Sequence, residues 1–219
     1  MRRRRLLGGL GGAALAAALG GGGCSVLPSQ PYLERRDWPL VVRRPGDLPG
    51  GLAVGSAPAR PGVTHGRVLL VRTVQAGPGL ETRGLQTLQS DGSLRTSFYE
   101  QWAVPPAEGI DDDLRRWLAD SGRFAAVVGP GSRMTADCVL EGEVLALHAD
   151  LGTMTARAAL AVVLIDQGSG GDRIRLERTE AASVGLDGTD PPALVRAQLA
   201  AVAAVLRQTE ADMANALRP

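Results

Sequence analysis

Few side chains in this sequence are suited to chemistry, and their spacing limits what they can do. There are two histidines, His65 and His148, and two cysteines, Cys24 and Cys138. His65 sits among prolines and glycines. His148 closes the apolar run Val144-Leu145-Ala146-Leu147, with Asp150 two residues on. Residues two apart on a strand point to one face, so His148 and Asp150 read as a surface pair with weak pH sensitivity. Neither histidine has the further Cys, His or carboxylate neighbours that a zinc site needs. Asp111-Asp112-Asp113 resembles a paired-acid site, yet successive helix residues do not face one another. Acids early in a helix are favoured by its dipole and by solvation. The chain has no Lys, which excludes a phosphate-binding loop, and no Gly-x-Ser-x-Gly elbow. No catalytic residue, metal or cofactor is expected, and the chain reads as a non-enzyme.

Cys24 is the exception. Arg2 to Arg5 are four consecutive cations, and Leu6 to Gly23 are eighteen uncharged residues of Leu, Ala and Gly. A basic region, an apolar region and small residues before a cut make a secretory signal. Eight of the eighteen are Gly, which makes the segment a poor permanent span, so cleavage before Cys24 is expected. Gly23 directly before Cys24 fits a lipoprotein signal, while Gly21 stands where Leu is usual. Lipidation at Cys24 follows, with acyl chains such as palmitate as the anchor. Each buried methylene contributes about 0.8 kcal/mol. Ser25, in place of the Asp that resembles an inner-membrane retention signal, points to the outer membrane and its periplasmic face. Cys138, in Asp137-Cys138-Val139-Leu140, then has no disulfide partner and reads as a small core hydrophobe.

Removal of residues 1–23 changes the formal balance from 24 basic against 23 acidic residues to 20 against 23, a net −3. A mildly acidic mature chain has no basic footprint for nucleic acid. Residues 24–66 carry seven prolines with scattered glycines, a density that prevents continuous helix or central strand. They read as a lipidated tether, with Trp38, Leu40 and Val42 as an island suited to an edge strand. The folded domain is expected over 67–219.

Within it, Arg67 to Val74 reads as a buried strand. Leu80 to Gln89 and Leu94 to Trp102 flank Ser90-Asp91-Gly92-Ser93, a strong hairpin signal. Leu94, Thr96, Phe98 and Trp102 fall on one face of the second arm. Pro105 and Pro106 pre-set a helix whose Ile110, Leu114, Trp117 and Leu118 share one side, and Ser121-Gly122 closes it. A short strand at Phe124 to Val128 precedes two long ones, Cys138 to Leu151 and Thr155 to Asp166. Ala158 to Ile165 has no polar residue, as expected of a strand covered on both faces. Arg173 to Val184 returns as a charged edge. Asp190 and Pro191 open a last helix with the stripe Val195, Leu199, Val202, Leu206, Met213 and Leu217. This order predicts an α+β fold: a mixed, largely antiparallel sheet with two helices on one face.

Trp102 reads first as a core residue beside Trp117. Its second reading, with Pro105 and Pro106, is a partner-facing anchor, since exposed Trp is enriched in interface hot spots.

The middle of the chain resembles the ABC-type transport auxiliary lipoprotein family. The resemblance is carried by Arg67-Val68-Leu69-Leu70-Val71, Pro78 to Gly84, Tyr99-Glu100-Gln101-Trp102-Ala103-Val104-Pro105-Pro106, Ser121 to Val127, Ala136-Asp137 and Leu140 to Val144. It spans about residues 67–210. It implies a periplasm-facing lipoprotein serving a mammalian-cell-entry (Mce) type transporter, which moves phospholipid or other hydrophobic molecules between the two membranes. The ATPase, permease and Mce-domain subunits are then separate chains. An activator of a cell-wall synthase and a lipid-enclosing carrier are the alternative readings.

Overall fold

A computed structural model describes residues 33–44, 66–168 and 170–218. Cys24 and residues 45–65 lie outside the described residues. The described residues from Glu34 onward form one compact unit. Its described elements are nine strands and two helices: β1 (Arg36–Trp38), β2 (Val68–Val71), β3 (Gln75–Ala76), β4 (Gly84–Leu88), β5 (Leu94–Trp102), α1 (Pro106–Asp120), β6 (Ala126–Val128), β7 (Cys138–Asp150), β8 (Thr155–Gly168), β9 (Gly171–Gly185) and α2 (Pro191–Ala216). The fold is α+β with a single mixed sheet.

β7 organises that sheet. One flank runs antiparallel to β8 from Cys138↔Asp166 to Asp150↔Thr155, and β9 continues antiparallel beyond β8. The other flank receives three short strands in succession, all parallel: β2 against Cys138 to Leu140, β3 against Glu143 and Val144, and β4 against Ala149 and Asp150. β6 lies outside β2, β5 outside β4, and β1 outside β5. The 90–93 turn closes the β4–β5 hairpin. Gly92 takes a φ of 85°, a region glycine enters without steric cost, and Asp91 Oδ1 accepts the Ser93 N–H at 2.9 Å.

Both helices cover one face. α2 packs on β8, β9 and β7, α1 on β6, β7 and β3, and the helices touch each other. Asp190 caps α2 by accepting the Ala193 N–H at 2.9 Å. Leu114 and Leu118 of α1 and Val202 and Leu206 of α2 are buried in one core with Leu69, Val71, Leu140, Leu160 and Leu164. Neither helix is long and apolar enough to cross a membrane.

Three expectations change. First, the folded unit begins well before residue 67. β1 pairs in parallel with β5, Leu40 and Val42 are buried in the core, and the Val42 N–H reaches Asp113 Oδ2 at 2.8 Å. The island at 36–44 thus adds the edge strand expected of it and belongs to the folded unit.

Second, Trp102 does not share a face with Phe98. Gly84 pairs with Gln101, but Gln86 pairs with Thr96, so two steps along β4 match five along β5. A slip of odd length flips every later side chain. Third, the polar-free stretch of β8 is fully covered on one face and only partly on the other. Ala158, Leu160, Val162 and Leu164 are buried under the helices, while on the other side Ala159 is buried and Ala161, Val163 and Ile165 are half-buried.

Candidate interaction surfaces

Asp111, Asp113 and Asp150, singled out by type, hold backbone groups of other segments and turns. Asp111 and Asp113 are buried, not solvated. Asp111 Oδ1 accepts the Val74 N–H at 3.3 Å, and Asp113 accepts the Val42 N–H and the Arg116 guanidinium. Burial pushes the Asp113 carboxyl up to about 6, against the pull of those donors. The run lies in the middle of α1, past the first turn, so it fastens flanking chain to the helix instead of answering the dipole. Asp150 accepts the Gly152 and Thr153 N–H groups at 2.8 and 3.1 Å and shapes the β7–β8 turn. Burial, then Arg157, lowers the pKa of His148, with Asp150 opposing. Cys138 is fully buried, and burial raises its thiol pKa. Among the described residues no cluster of three or more His, Cys, Asp or Glu could hold a metal.

Trp102 is 1% exposed and Pro106 is buried, while Pro105 is half-buried. Trp102 takes the core role of its two readings, because the register slip turns its ring inward, and it offers no anchor to a partner. Two other surfaces are better suited.

The first is an aliphatic row across five strands on the face opposite the helices. Val128 of β6 pairs with Leu70 of β2, Leu70 with Val139 of β7, Val139 with Ile165 of β8, and Ile165 with Ile174 of β9. Ile174 is 66% exposed, Val128, Leu70 and Ile165 are half-buried, and Val139 at the centre of the row is buried. Arg72 and Glu141, joined at 2.5 Å, lie in an open depression beside it with Leu70, Gln75 and Pro130. Sequence reasoning missed this row because it exists only once the register of four strand pairs is set. Its one local signal was the polar-free Ala158–Ile165 run.

The second is an aromatic bulge in β5. Phe98 is 64% exposed and Tyr99 42%, their rings edge-to-face at 5.2 Å. The Arg35 guanidinium lies over the Phe98 ring at 4.6 Å. Ser97 Oγ accepts the Glu100 N–H at 3.0 Å, and Gln101 Nε2 donates to the Phe98 carbonyl at 3.0 Å. A Cβ at Gly84 would lie 2.4 Å from the Ser97 carbonyl oxygen, so glycine in β4 permits the bulged backbone to close over it.

The family model for the ABC-type transport auxiliary lipoprotein component matches residues 51–209. The chain belongs to this family. As an auxiliary lipoprotein component of ABC-type transport it is a membrane-anchored protein of the cell envelope. No curated protein matches the sequence. Among solved structures, protein XCC0632 of Xanthomonas campestris aligns with 24% identity and a TM-score of 0.62, covering 80% of this chain and 92% of that one. A hypothetical protein of Chlamydia trachomatis, CT253, aligns with 11% identity and a TM-score of 0.51, covering 68% and 95%. At these identities the likeness is one of fold.

Proposed function

We propose that this chain is a non-enzymatic docking subunit of an Mce-type lipid-transport system, anchored in the outer membrane by lipid on Cys24 and facing the periplasm. Its partners are the Mce-domain and ABC transporter subunits of the inner membrane, and the cargo is phospholipid or another hydrophobic molecule. The observation that carries this reading is the family match over most of the folded unit. The open aliphatic row supports it. Apolar cross-strand pairs stabilise a sheet, but the exposed Ile174 and the half-buried Ile165, Leu70 and Val128 on either side of the buried Val139 gain most when a second surface covers them.

In this reading Val128, Leu70, Ile165 and Ile174 meet the transporter, and nucleic acid has no part. Purification from detergent-solubilised membranes through a tag on this chain tests it. Co-purified Mce-domain and ABC subunits support the docking role. A peptidoglycan synthase would instead favour an activator of cell-wall synthesis, and tightly held lipid without protein a carrier.

A further inference from the structure

The Phe98–Tyr99 bulge has no use in the docking role just described, yet it is a built feature. Three extra residues of β5 are looped out, two hydrogen bonds hold the loop, and Gly84 makes room beneath it. What it presents is costly to leave in water. The chain has only two Phe and two Tyr, and one of each is exposed side by side at this point.

The bulge also has a defined place along the chain. β1 is the first described element after Cys24 and pairs directly with β5. Ten peptide links join Cys24 to Glu34. At about 3.6 Å each they reach at most about 36 Å, and a flexible chain of that length typically spans about 18 Å. Arg35, the next residue, is itself in contact with the Phe98 ring. A lipid on Cys24 therefore keeps this corner of the domain within about 36 Å of the bilayer.

We infer that Phe98 and Tyr99, with Arg35 stacked on them, form a membrane contact that settles into the headgroup layer of the bilayer carrying the Cys24 lipid. This rests on the lipidation proposed above. Amphipathic rings concentrate at membrane interfaces, and a guanidinium presents a fork of donors that matches phosphate oxygens. Among the described residues neither Arg35 nor Arg95, at the start of β5, pairs with a carboxylate, whereas Arg36 is joined to Glu100 at 2.5 Å. Glu34 and Asp37 are exposed on the same segment, so the contact depends on the rings and on hydrogen bonding, not on a net positive field. One lipid chain binds only marginally and stable anchoring takes a second signal; the bulge adds to whatever the acyl chains supply and orients the domain. The β5 corner then faces the bilayer, leaving the aliphatic row free for a protein.

The test places a reporter at each surface of the full lipidated chain. Phe98→Trp and Ile174→Trp are purified from membranes and reconstituted in phosphatidylethanolamine/phosphatidylglycerol vesicles, with and without brominated acyl chains. Subtraction of the wild-type spectrum removes Trp38, Trp102 and Trp117. The expected result is a blue-shifted added emission for Phe98→Trp that is lost with brominated lipid, while that of Ile174→Trp stays water-like and unquenched. Equal, unquenched emission from both variants would overturn the contact. So would Phe98→Trp emission that turns blue only when transporter subunits are added, which would assign the bulge to a protein. Both positions are mostly exposed, and unchanged circular dichroism verifies folding. If the intact mass shows Cys24 unmodified, the anchor reading fails separately. The unlipidated chain mixed with the same vesicles then reads the bulge directly, and an unquenched Phe98→Trp overturns the contact.

Discussion

The indole N–H of Trp117 in α1 donates to Glu210 Oε2 in α2 at 2.9 Å, and the same carboxylate receives Arg123 at 3.0 Å and Arg44 at 2.8 Å. One buried acid thus ties together the two helices, the end of α1 and the segment leading back to Cys24. Burial works against its ionisation, but donation from Arg123 and Trp117 and the nearby Arg44 hold the Glu210 carboxyl below its ordinary value.

Trp117→Ala should therefore destabilise the fold by about 3–5 kcal/mol, the cost of emptying a buried indole site. Trp117→Phe should cost less, because it keeps most of the apolar volume and loses chiefly the hydrogen bond, about 1–3 kcal/mol when the partner is left buried. Denaturant midpoints measure both. Equal losses from the two variants would mean that the Glu210 bond, not packing, dominates at this position.

Asp113 gives a pH dependence of definite sign. Its carboxyl titrates near 3.8 in an unfolded chain and at about 6 in the fold. The folded state holds the extra proton between those values, so this contribution is fully present below about 3.8 and is lost as pH rises through about 6. The difference corresponds to a loss on the order of 3 kcal/mol. Asp113→Asn removes the titration. The stability of wild type minus that of the variant should fall between pH 4 and pH 7, and a flat difference over that range would contradict the burial argument.

Cys24→Ala should leave a larger, unlipidated precursor or a soluble product. Fractionation and intact mass distinguish them, and an unmodified Cys24 in the mature wild-type chain would remove the anchor.

The shorter tether sets another expectation. With 34–44 docked on the domain, reach from the membrane depends on residues 25–33 and not on the whole proline-rich segment. Deleting residues 26–31 should impair complementation of a deletion strain while leaving the domain folded, and scrambling them at constant composition should be tolerated. A scramble that fails as badly as the deletion would assign these residues a binding motif.

Much of the fold was legible because its signals are local. Asp91-Gly92 marked the hairpin, Asp190-Pro191 the start of α2, and Ile110, Leu114, Trp117 and Leu118 the buried side of α1. The surfaces were not legible, since each depends on register between distant strands. Phe98 and Trp102 are four apart on what reads as a regular strand. Only the close approach of Ser97 to Gly84 in the opposing strand sends one outward and the other inward. The acid run failed as a local reading for a similar reason. Asp111 and Asp113 look like solvated residues until Val74 and Val42 are laid across them.

Ile174 ends the aliphatic row at 66% exposure on the outermost strand, which makes it the most direct probe of the docking claim. A photo-crosslinking amino acid placed at position 174 of the membrane-anchored chain in living cells should form its principal adduct with an Mce-domain or ABC transporter subunit. The same probe at Arg95, beside the bulge, should not. Adducts from position 174 to a peptidoglycan synthase, or no adduct to any transporter subunit in cells where the chain is lipidated and functional, would contradict docking through this face.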